Sequence, residues 1–282
     1  MGSLALGAIT ISFAAVFVTT AGISADASAF YRMLFGGLCM VGLLAAKGRI
    51  AILPRLLIPA IPVAIIFTGD FLCWHRAILA VGPGLATMLG NLQAVYIALF
   101  SVLFLGERSG VRFFAALGLA LSGVYLTVGP VWNLSGETFR IGVLFGIATA
   151  VFYGSYILML KRLVNRTGEV LGATTAVTLL TALFCGLFTL ASGESFVLPD
   201  LAAWSSMVAL GALCQCGGWL LIARGLDKTP ASLAGLVLLL QPVLSFVWDI
   251  WFFAKPVNAV ELSGVALALS GIYLGSLRRA KG

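Results

Sequence analysis

Charged side chains are scarce in this sequence. Lysine, arginine, aspartate and glutamate together make up 10% of its 282 residues, whereas hydrophobic residues make up 61%. Because a soluble domain carries about 25% charged residues, this composition excludes a soluble fold. The apolar runs are long and continuous, which favours transmembrane helices over a β-barrel. We therefore predict an all-α integral membrane protein with the lipid bilayer as its solvent.

Groups suited to catalysis or metal binding are scarce as well. The sequence has one histidine, His75, and its five cysteines all fall inside apolar spans, where they behave as small hydrophobes. The serines of Ser109-Gly110 and Ser122-Gly123 lack a neighbouring array of histidine and carboxylate. An intramembrane enzyme is therefore the remote alternative, and neither a metal nor a cofactor is expected.

The basic residues are distributed unevenly between the two sides of the predicted membrane. Of the 17 lysines and arginines, 13 fall in one set of loops, and the other side has only Arg32, Arg76, Arg140 and Lys255. By the positive-inside rule, this asymmetry places both termini in the cytoplasm. The net charge of +7 is then a matter of orientation in the bilayer, and no nucleic-acid partner is predicted.

An internal repeat organises the chain. Residues 73–126, moved forward by 148 positions onto residues 221–274, match at 14 of 54 positions without a gap. Self-similarity of this kind indicates a duplicated structural unit. The matches cluster in two runs, Leu92–Val95 over Leu240–Val243 and Leu119–Leu126 over Leu267–Leu274.

The apolar segments predict ten transmembrane helices. Their ranges are 4–22, 27–46, 57–80, 84–105, 109–129, 140–160, 170–192, 201–223, 230–253 and 258–276. Residues 4–22 lack the basic region that begins a signal peptide, so they fit a first transmembrane helix. The chain then divides into two five-helix repeats, 1–130 and 131–282, within one transmembrane domain. Because five is an odd number, the repeats enter the membrane in opposite senses, which is the inverted plan of many secondary transporters.

A glutamine recurs near the centre of the fourth and ninth predicted helices, as Gln93 and Gln241. An amide at this depth needs polar partners, so both should face the protein interior or a wet cavity. Helical spacing puts Tyr96 beside Gln93 and Trp248 beside Gln241. The alternative is that each glutamine makes a structural hydrogen bond between helices.

The third predicted helix carries Asp70 near mid-depth, followed by Trp74 and His75. A carboxylate inside the membrane is a functional candidate, so Asp70 either couples protons or pairs with Arg32 of the second helix. His75 has three open roles: relaying a proton, donating a hydrogen bond to a substrate carboxylate, or supporting the structure.

Aromatic residues and glutamines together suggest a cavity for a small-molecule substrate. Such a lining suits an uncharged, zwitterionic or aromatic solute, whereas a phosphorylated sugar would require paired basic residues at mid-depth. The predicted substrate-binding residues are Trp74, His75, Gln93, Tyr96, Tyr153, Tyr156, Gln215, Trp219, Gln241 and Trp248.

Small residues indicate close contacts between helices. Gly142 and Gly146 lie four residues apart in the sixth predicted helix, and Gly271 and Gly275 do so in the tenth. This spacing allows two helix backbones to approach closely. Packing within one chain explains it more simply than a dimer does, so a monomer is favoured.

The end of the first repeat carries a family resemblance. The run Leu105-Gly106-Glu107-Arg108 precedes a helix rich in glycine and alanine that closes with Ala120-Leu121-Ser122-Gly123-Val124. With the ten-helix layout, this resembles the EamA-type members of the drug/metabolite transporter superfamily. The second repeat departs from the pattern, since Ala254-Lys255-Pro256 replaces the Gly-Glu turn.

The resemblance implies a function. It implies an exporter of amino acids or other small metabolites in a bacterial inner membrane, with a central cavity formed by predicted helices 1, 3, 4, 6, 8 and 9. The aromatic lining is similar in character to that expected of aromatic amino-acid exporters. The two repeats would rock about the level of Gln93 and Gln241 in alternating access. The main alternative is a lipid or polyprenyl-carrier flippase, which would need a cavity open sideways to lipid.

Overall fold

The computed structural model describes residues 2–104, 111–132, 135–226 and 237–276, and every regular element in these ranges is helical. The helices are α1 (Gly2–Ser12), α2 (Ala14–Thr20), α3 (Ala25–Ala46), α4 (Leu53–Val81), α5 (Pro83–Gly90), α6 (Gln93–Phe104), α7 (Val111–Trp132), α8 (Glu137–Thr167), α9 (Val170–Ala191), α10 (Leu201–Ala209), a π-helical segment (Leu210–Gly218), α11 (Trp219–Leu226), α12 (Leu240–Phe253) and α13 (Ala259–Ser276). A short 3₁₀ turn, Ile50–Ile52, precedes α4.

Seven helical stretches in the described residues are long and apolar enough to cross a membrane, and two further apolar helices are shorter. Each of the ten predicted spans overlaps at least one described helix. The prediction of an all-helical, multi-pass membrane protein is thus confirmed. The turn Leu105–Arg108, Ser109-Gly110 and the start of the predicted 230–253 span lie outside the described residues.

Turn and capping residues set the helix boundaries. The Ser24 hydroxyl accepts a hydrogen bond from the Ala27 N–H at 3.3 Å and caps α3, and Asp200 caps α10 by accepting from the Ala203 N–H at 2.7 Å. Gly82 adopts a φ of 85° between α4 and α5, a conformation that favours glycine. Pro83 follows at the start of α5, where its missing N–H costs nothing.

The helices α7 and α13 meet along closely spaced backbones. A Cβ added at Gly123 would collide with the backbone of Ala268, and one added at Gly271 would collide with the backbone of Ala120. The two contacts are reciprocal, because a shift of 148 positions carries Gly123 onto Gly271 and Ala120 onto Ala268. Duplicated residues therefore hold duplicated helices against each other.

Glycine also brings α8 close to its neighbours. A Cβ at Gly142 would lie 2.5 Å from the Cβ of Ala80 in α4, and one at Gly146 would lie 2.9 Å from the Cβ of Leu89 in α5. The predicted close contact of this glycine pair within the chain is confirmed. It fixes α8 beside α4 and α5, and all three helices contribute to the candidate site.

Candidate functional site

A cavity opens between helices from both halves of the chain. Its volume for the centres of water molecules is about 90 Å³, which is room for several waters or part of a small solute. The helices α1, α3, α4, α5, α8, α11 and α12 contribute to its wall. The lining consists of Ile11, Arg32, Phe67, Asp70, Phe71, Trp74, Thr87, Gly90, Asn91, Thr149, Tyr153, Trp219, Gln241 and Ser245.

Several of these helices are interrupted beside the cavity. The first predicted helix breaks at Phe13, the fourth at Asn91 and Leu92, and a turn at Leu239 precedes α12. Asn91 and Leu239 are equivalent positions of the repeat, 148 residues apart. Interrupted helices in membranes expose backbone groups where the chain lines a cavity. The predicted span 4–22 thus corresponds to α1 and α2, which together form one apolar stretch long enough to cross a membrane, and the predicted span 84–105 corresponds to α5 and α6.

One freed backbone group joins α1 to α12. The Ser12 carbonyl accepts a hydrogen bond from the Ser245 hydroxyl at 3.1 Å, and the Ser12 hydroxyl accepts one from the Trp248 indole N–H at 2.9 Å. The Trp248 ring also stacks on Phe13 with 4.6 Å between the ring centroids. These contacts hold Trp248 against α1, and it does not belong to the cavity lining.

Arg32 is held in a fixed position at the cavity wall. It is 5% exposed, and its Nε donates a hydrogen bond to Gln215 Oε1 at 3.2 Å. Its guanidinium carbon lies 4.7 Å from the centroid of the Phe71 ring and 5.1 Å from that of Trp74, within range of cation–π attraction. Its Nη1 is buried and has no hydrogen-bond partner among the described residues. The guanidinium therefore keeps an unused donor beside the cavity.

Asp70 of α4 lines the same cavity as Arg32 and is 6% exposed. Its Oδ1 is buried without a hydrogen-bond partner in the part of the chain that the structure describes. The direct ion pair with Arg32, one of two roles predicted for Asp70, does not form among these residues. The reason is that Gln215 and the two aromatic rings hold the Arg32 side chain.

A different buried ion pair joins the same two helices. Arg76 Nη2 of α4 lies 2.6 Å from Asp26 Oδ2 of α3, and Asp26 is fully buried. Arg76 also donates to the Leu72 carbonyl at 3.0 Å. This pair was not predicted from the sequence, although both helices carry an aspartate six residues before an arginine.

The aromatic wall agrees in part with the predicted residues. Trp74, Tyr153 and Trp219 line the cavity, as does Gln241. Tyr153 and Trp219 meet edge to face with 6.5 Å between their centroids, so α8 and α11 touch through their rings.

Six predicted residues do not belong to the cavity lining in the described structure. They are His75, Gln93, Tyr96, Tyr156, Gln215 and Trp248. Tyr156 stacks on Phe67 with 3.7 Å between centroids, and the Tyr96 hydroxyl lies 2.8 Å from Ser155 Oγ. Gln93 has a buried Oε1 without a partner among the described residues.

His75 lies behind the wall. It is fully buried, its Nδ1 is 2.8 Å from the Phe71 carbonyl oxygen, and its ring meets that of Trp74 edge to face at 5.2 Å. This placement suits the structural role among the three that were open, because the ring supports two residues that do line the cavity.

Polar lining residues were missed at three positions: Thr87, Asn91 and Thr149. Threonine hydroxyls in helices usually donate to the carbonyl four residues earlier, as Thr68 does to Ala64 at 2.8 Å. The Thr87 and Thr149 hydroxyls are buried without any partner in the described residues. Both residues line the cavity.

The EamA-like transporter family model matches residues 2–129 and 140–277. The chain belongs to this family. The family predicted from the sequence is thereby confirmed, and a membrane-transport role with it. The two matched segments together cover nearly the whole chain.

Proteins similar in sequence to this chain are also described as transporters or exporters. An uncharacterised transporter of Archaeoglobus fulgidus is 23% identical over 279 residues, covering 96% of this chain and 94% of the relative. The pseudopaline exporter CntI of Pseudomonas aeruginosa is 24% identical, covering 84% and 81%. The uncharacterised inner membrane transporter YhbE of Escherichia coli is 25% identical, covering 88% and 81%.

A protein of known crystal structure has the same fold. It superposes with a TM-score of 0.68 at 20% identity, and the match covers 96% of this chain and 94% of the other. At this identity, the likeness extends to the arrangement of helices and not to the solute.

Proposed function

We propose that the protein is a secondary transporter that exports amino acids, with aromatic or other hydrophobic and zwitterionic metabolites favoured, across a bacterial inner membrane. The observation that carries this proposal is the cavity between the two halves, which combines aromatic faces with unpaired polar atoms. The names of two relatives support it, since one is an exporter and the other an inner membrane transporter.

The proposed architecture has ten transmembrane helices in two inverted repeats, 1–130 and 131–282. The reciprocal contacts of Gly123 and Gly271 support it, as do the equivalent interruptions at Asn91 and Leu239. Both termini would face the cytoplasm, because the basic residues concentrate on that side.

The proposed mechanism is alternating access, in which the two halves rock about the cavity. The end of the bundle near the α4–α5 junction is tied across the halves. Asp249 Oδ2 accepts a hydrogen bond from the Gly84 N–H at 3.1 Å and lies 3.8 Å from Lys255 Nζ, which meets Glu261 at 2.8 Å. Opening the cavity toward this end would require the contact between Asp249 and Gly84 to break.

Exchange of tritiated phenylalanine across proteoliposomes tests the proposal. Vesicles loaded with unlabelled phenylalanine should accumulate the labelled amino acid faster than protein-free vesicles. No exchange of phenylalanine, leucine or any other amino acid would contradict the proposal. Movement of a fluorescent lipid between leaflets in the same vesicles, without amino-acid exchange, would instead identify a flippase.

A further inference from the structure

Two pairs of oppositely charged residues are shared between α3 and α4. Each helix carries an aspartate followed six residues later by an arginine: Asp26 and Arg32 in α3, Asp70 and Arg76 in α4. The contact of Asp26 with Arg76 shows that the two helices run antiparallel, since it joins the start of one to the end of the other. At about 1.5 Å per residue, the second pair lies about 9 Å deeper in the bundle.

The two pairs differ in one respect. The outer pair, Asp26 with Arg76, is closed by a direct contact, whereas the inner pair, Arg32 with Asp70, is open. Arg76 and Asp26 approach to 2.6 Å. Arg32 instead bonds to Gln215 and lies against the rings of Phe71 and Trp74.

The open pair leaves polar atoms of two ionisable side chains without hydrogen-bond partners at the cavity wall. Arg32 Nη1 and Asp70 Oδ1 are both buried without hydrogen-bond partners in the described residues, and both residues line the same cavity. A buried charge without a partner is costly, and the cost falls when a hydrogen-bonded counter-charge arrives. A molecule in the cavity that carries both charges can supply a hydrogen-bonded partner to each side chain.

We infer that Arg32 and Asp70 form a divided receptor for a zwitterion, in which Arg32 binds the carboxylate of the solute and Asp70 binds its ammonium group. The inference rests on the proposed function and narrows it to α-amino acids and related aminocarboxylates. The planar guanidinium suits a carboxylate because its N–H groups match the two oxygens. The apolar part of the solute then meets Phe67 and Tyr153, which line the same cavity.

This arrangement sets selectivity by requiring two charges. A solute that carries only an ammonium group leaves Arg32 unpaired, and one that carries only a carboxylate leaves Asp70 unpaired. Sites built around buried polar groups reject analogues that lack a partner for them. The receptor therefore prefers an amino acid over both its decarboxylated and its deaminated analogue.

Calorimetry on the full-length protein in lipid nanodiscs tests this preference with two matched series. One is phenylalanine, 2-phenylethylamine and 3-phenylpropionate; the other is leucine, 3-methylbutylamine and 4-methylpentanoate. In the wild type, the amino acid of at least one series should bind about 10- to 100-fold more tightly than both analogues, the range expected for one charged hydrogen bond. In Arg32→Gln, the amino acid should no longer bind more tightly than the amine but should still bind more tightly than the carboxylate analogue. In Asp70→Asn, the amino acid should no longer bind more tightly than the carboxylate analogue but should still bind more tightly than the amine. Retained binding of an analogue shows that the variant is folded.

The closed pair supplies matched controls. Arg76→Gln and Asp26→Asn make the same chemical changes on the same two helices and should keep the preference for the amino acid. The inference is overturned if Arg32→Gln and Asp70→Asn retain the wild-type preference, or if the wild type binds an analogue as tightly as the amino acid in both series. Amino-acid exchange by the wild type in proteoliposomes would then leave the proposed function intact. A wild type that neither binds nor exchanges any amino acid overturns both.

Discussion

At the scale of single residues, the account depends on aromatic side chains that face the cavity. Trp74 and Trp219 line it from α4 and α11. Stacking and apolar contact with an aromatic ring contribute about 1–2 kcal/mol to binding a small solute.

Removing either ring should weaken transport and leave the fold intact. We expect Trp74→Ala or Trp219→Ala to raise the phenylalanine concentration for half-maximal exchange by about tenfold, the equivalent of 1.4 kcal/mol. Trp251→Ala is the matched control, because Trp251 is 74% exposed and lies outside the lining. Wild-type exchange by both cavity variants in proteoliposomes would remove these residues from the site.

A role for Asp70 in proton coupling stays a prediction. If its carboxylate exchanges a proton for the solute, amino-acid accumulation driven by a pH gradient should disappear in Asp70→Asn, while exchange without a gradient should persist once the amino-acid concentration is raised to offset the weaker binding. Asp26→Asn should retain the gradient dependence, because Asp26 lies outside the cavity lining and is held by Arg76. If accumulation by Asp70→Asn depends on the pH gradient as it does in the wild type, Asp70 takes no part in proton coupling.

The sequence predicted the kinds of side chain that line the cavity better than it predicted which individual residues do so. Arg32, Asp70 and Gln241 could be found because a polar group deep in an apolar span needs a reason. Trp248 was expected to face the cavity, but the break at Phe13 offers it the Ser12 hydroxyl instead. Nothing in the sequence distinguishes Thr87 and Thr149, whose hydroxyls are unpaired, from threonines that bond their own helix.

At the scale of helices, the close contact of α7 with α13 invites a stability test. Gly123→Ala and Gly271→Ala should each lower the free energy of unfolding by about 1–3 kcal/mol, because the new methyl group meets backbone that cannot move aside. In contrast, Gly118→Ala on α7 should be neutral or stabilising by about 0.5–1 kcal/mol, since no atom lies within 4 Å of its Cβ position.

Denaturation of the purified protein in detergent measures these differences. Because the two contacts are reciprocal, Gly123→Ala and Gly271→Ala should lower the free energy of unfolding by similar amounts. If Gly123→Ala is as stable as Gly118→Ala, α7 and α13 do not pack as described.

Helices were predictable as apolar segments, but their interruptions were not. Pro59 and Pro62 lie inside α4 without ending it, whereas the first helix breaks at Phe13. The π-helical segment Leu210–Gly218, which carries Gln215, also has no proline. These departures arise from contacts between helices, such as the bond from Arg32 to Gln215, and a sequence read one helix at a time does not contain them.

At the scale of the whole molecule, the orientation in the membrane follows from the basic residues. Green fluorescent protein fused to the C-terminus should fluoresce, because it folds in the cytoplasm. Alkaline phosphatase fused at the same position should be inactive, since it needs the oxidising periplasm. Active phosphatase with a dark fluorescent protein would reverse the proposed orientation and, with it, the direction of export.

The central claim is that solute passes through the cavity between the two halves, and filling that cavity tests it most directly. Gly90 lines the cavity, and a Cβ there would lie 3.1 Å from Thr149 Cγ2 and 3.7 Å from Trp74 Cδ1. Phenylalanine exchange in proteoliposomes should fall to the rate of protein-free vesicles in Gly90→Phe and stay at the wild-type rate in Gly118→Phe. Wild-type exchange by a folded Gly90→Phe protein would contradict the account.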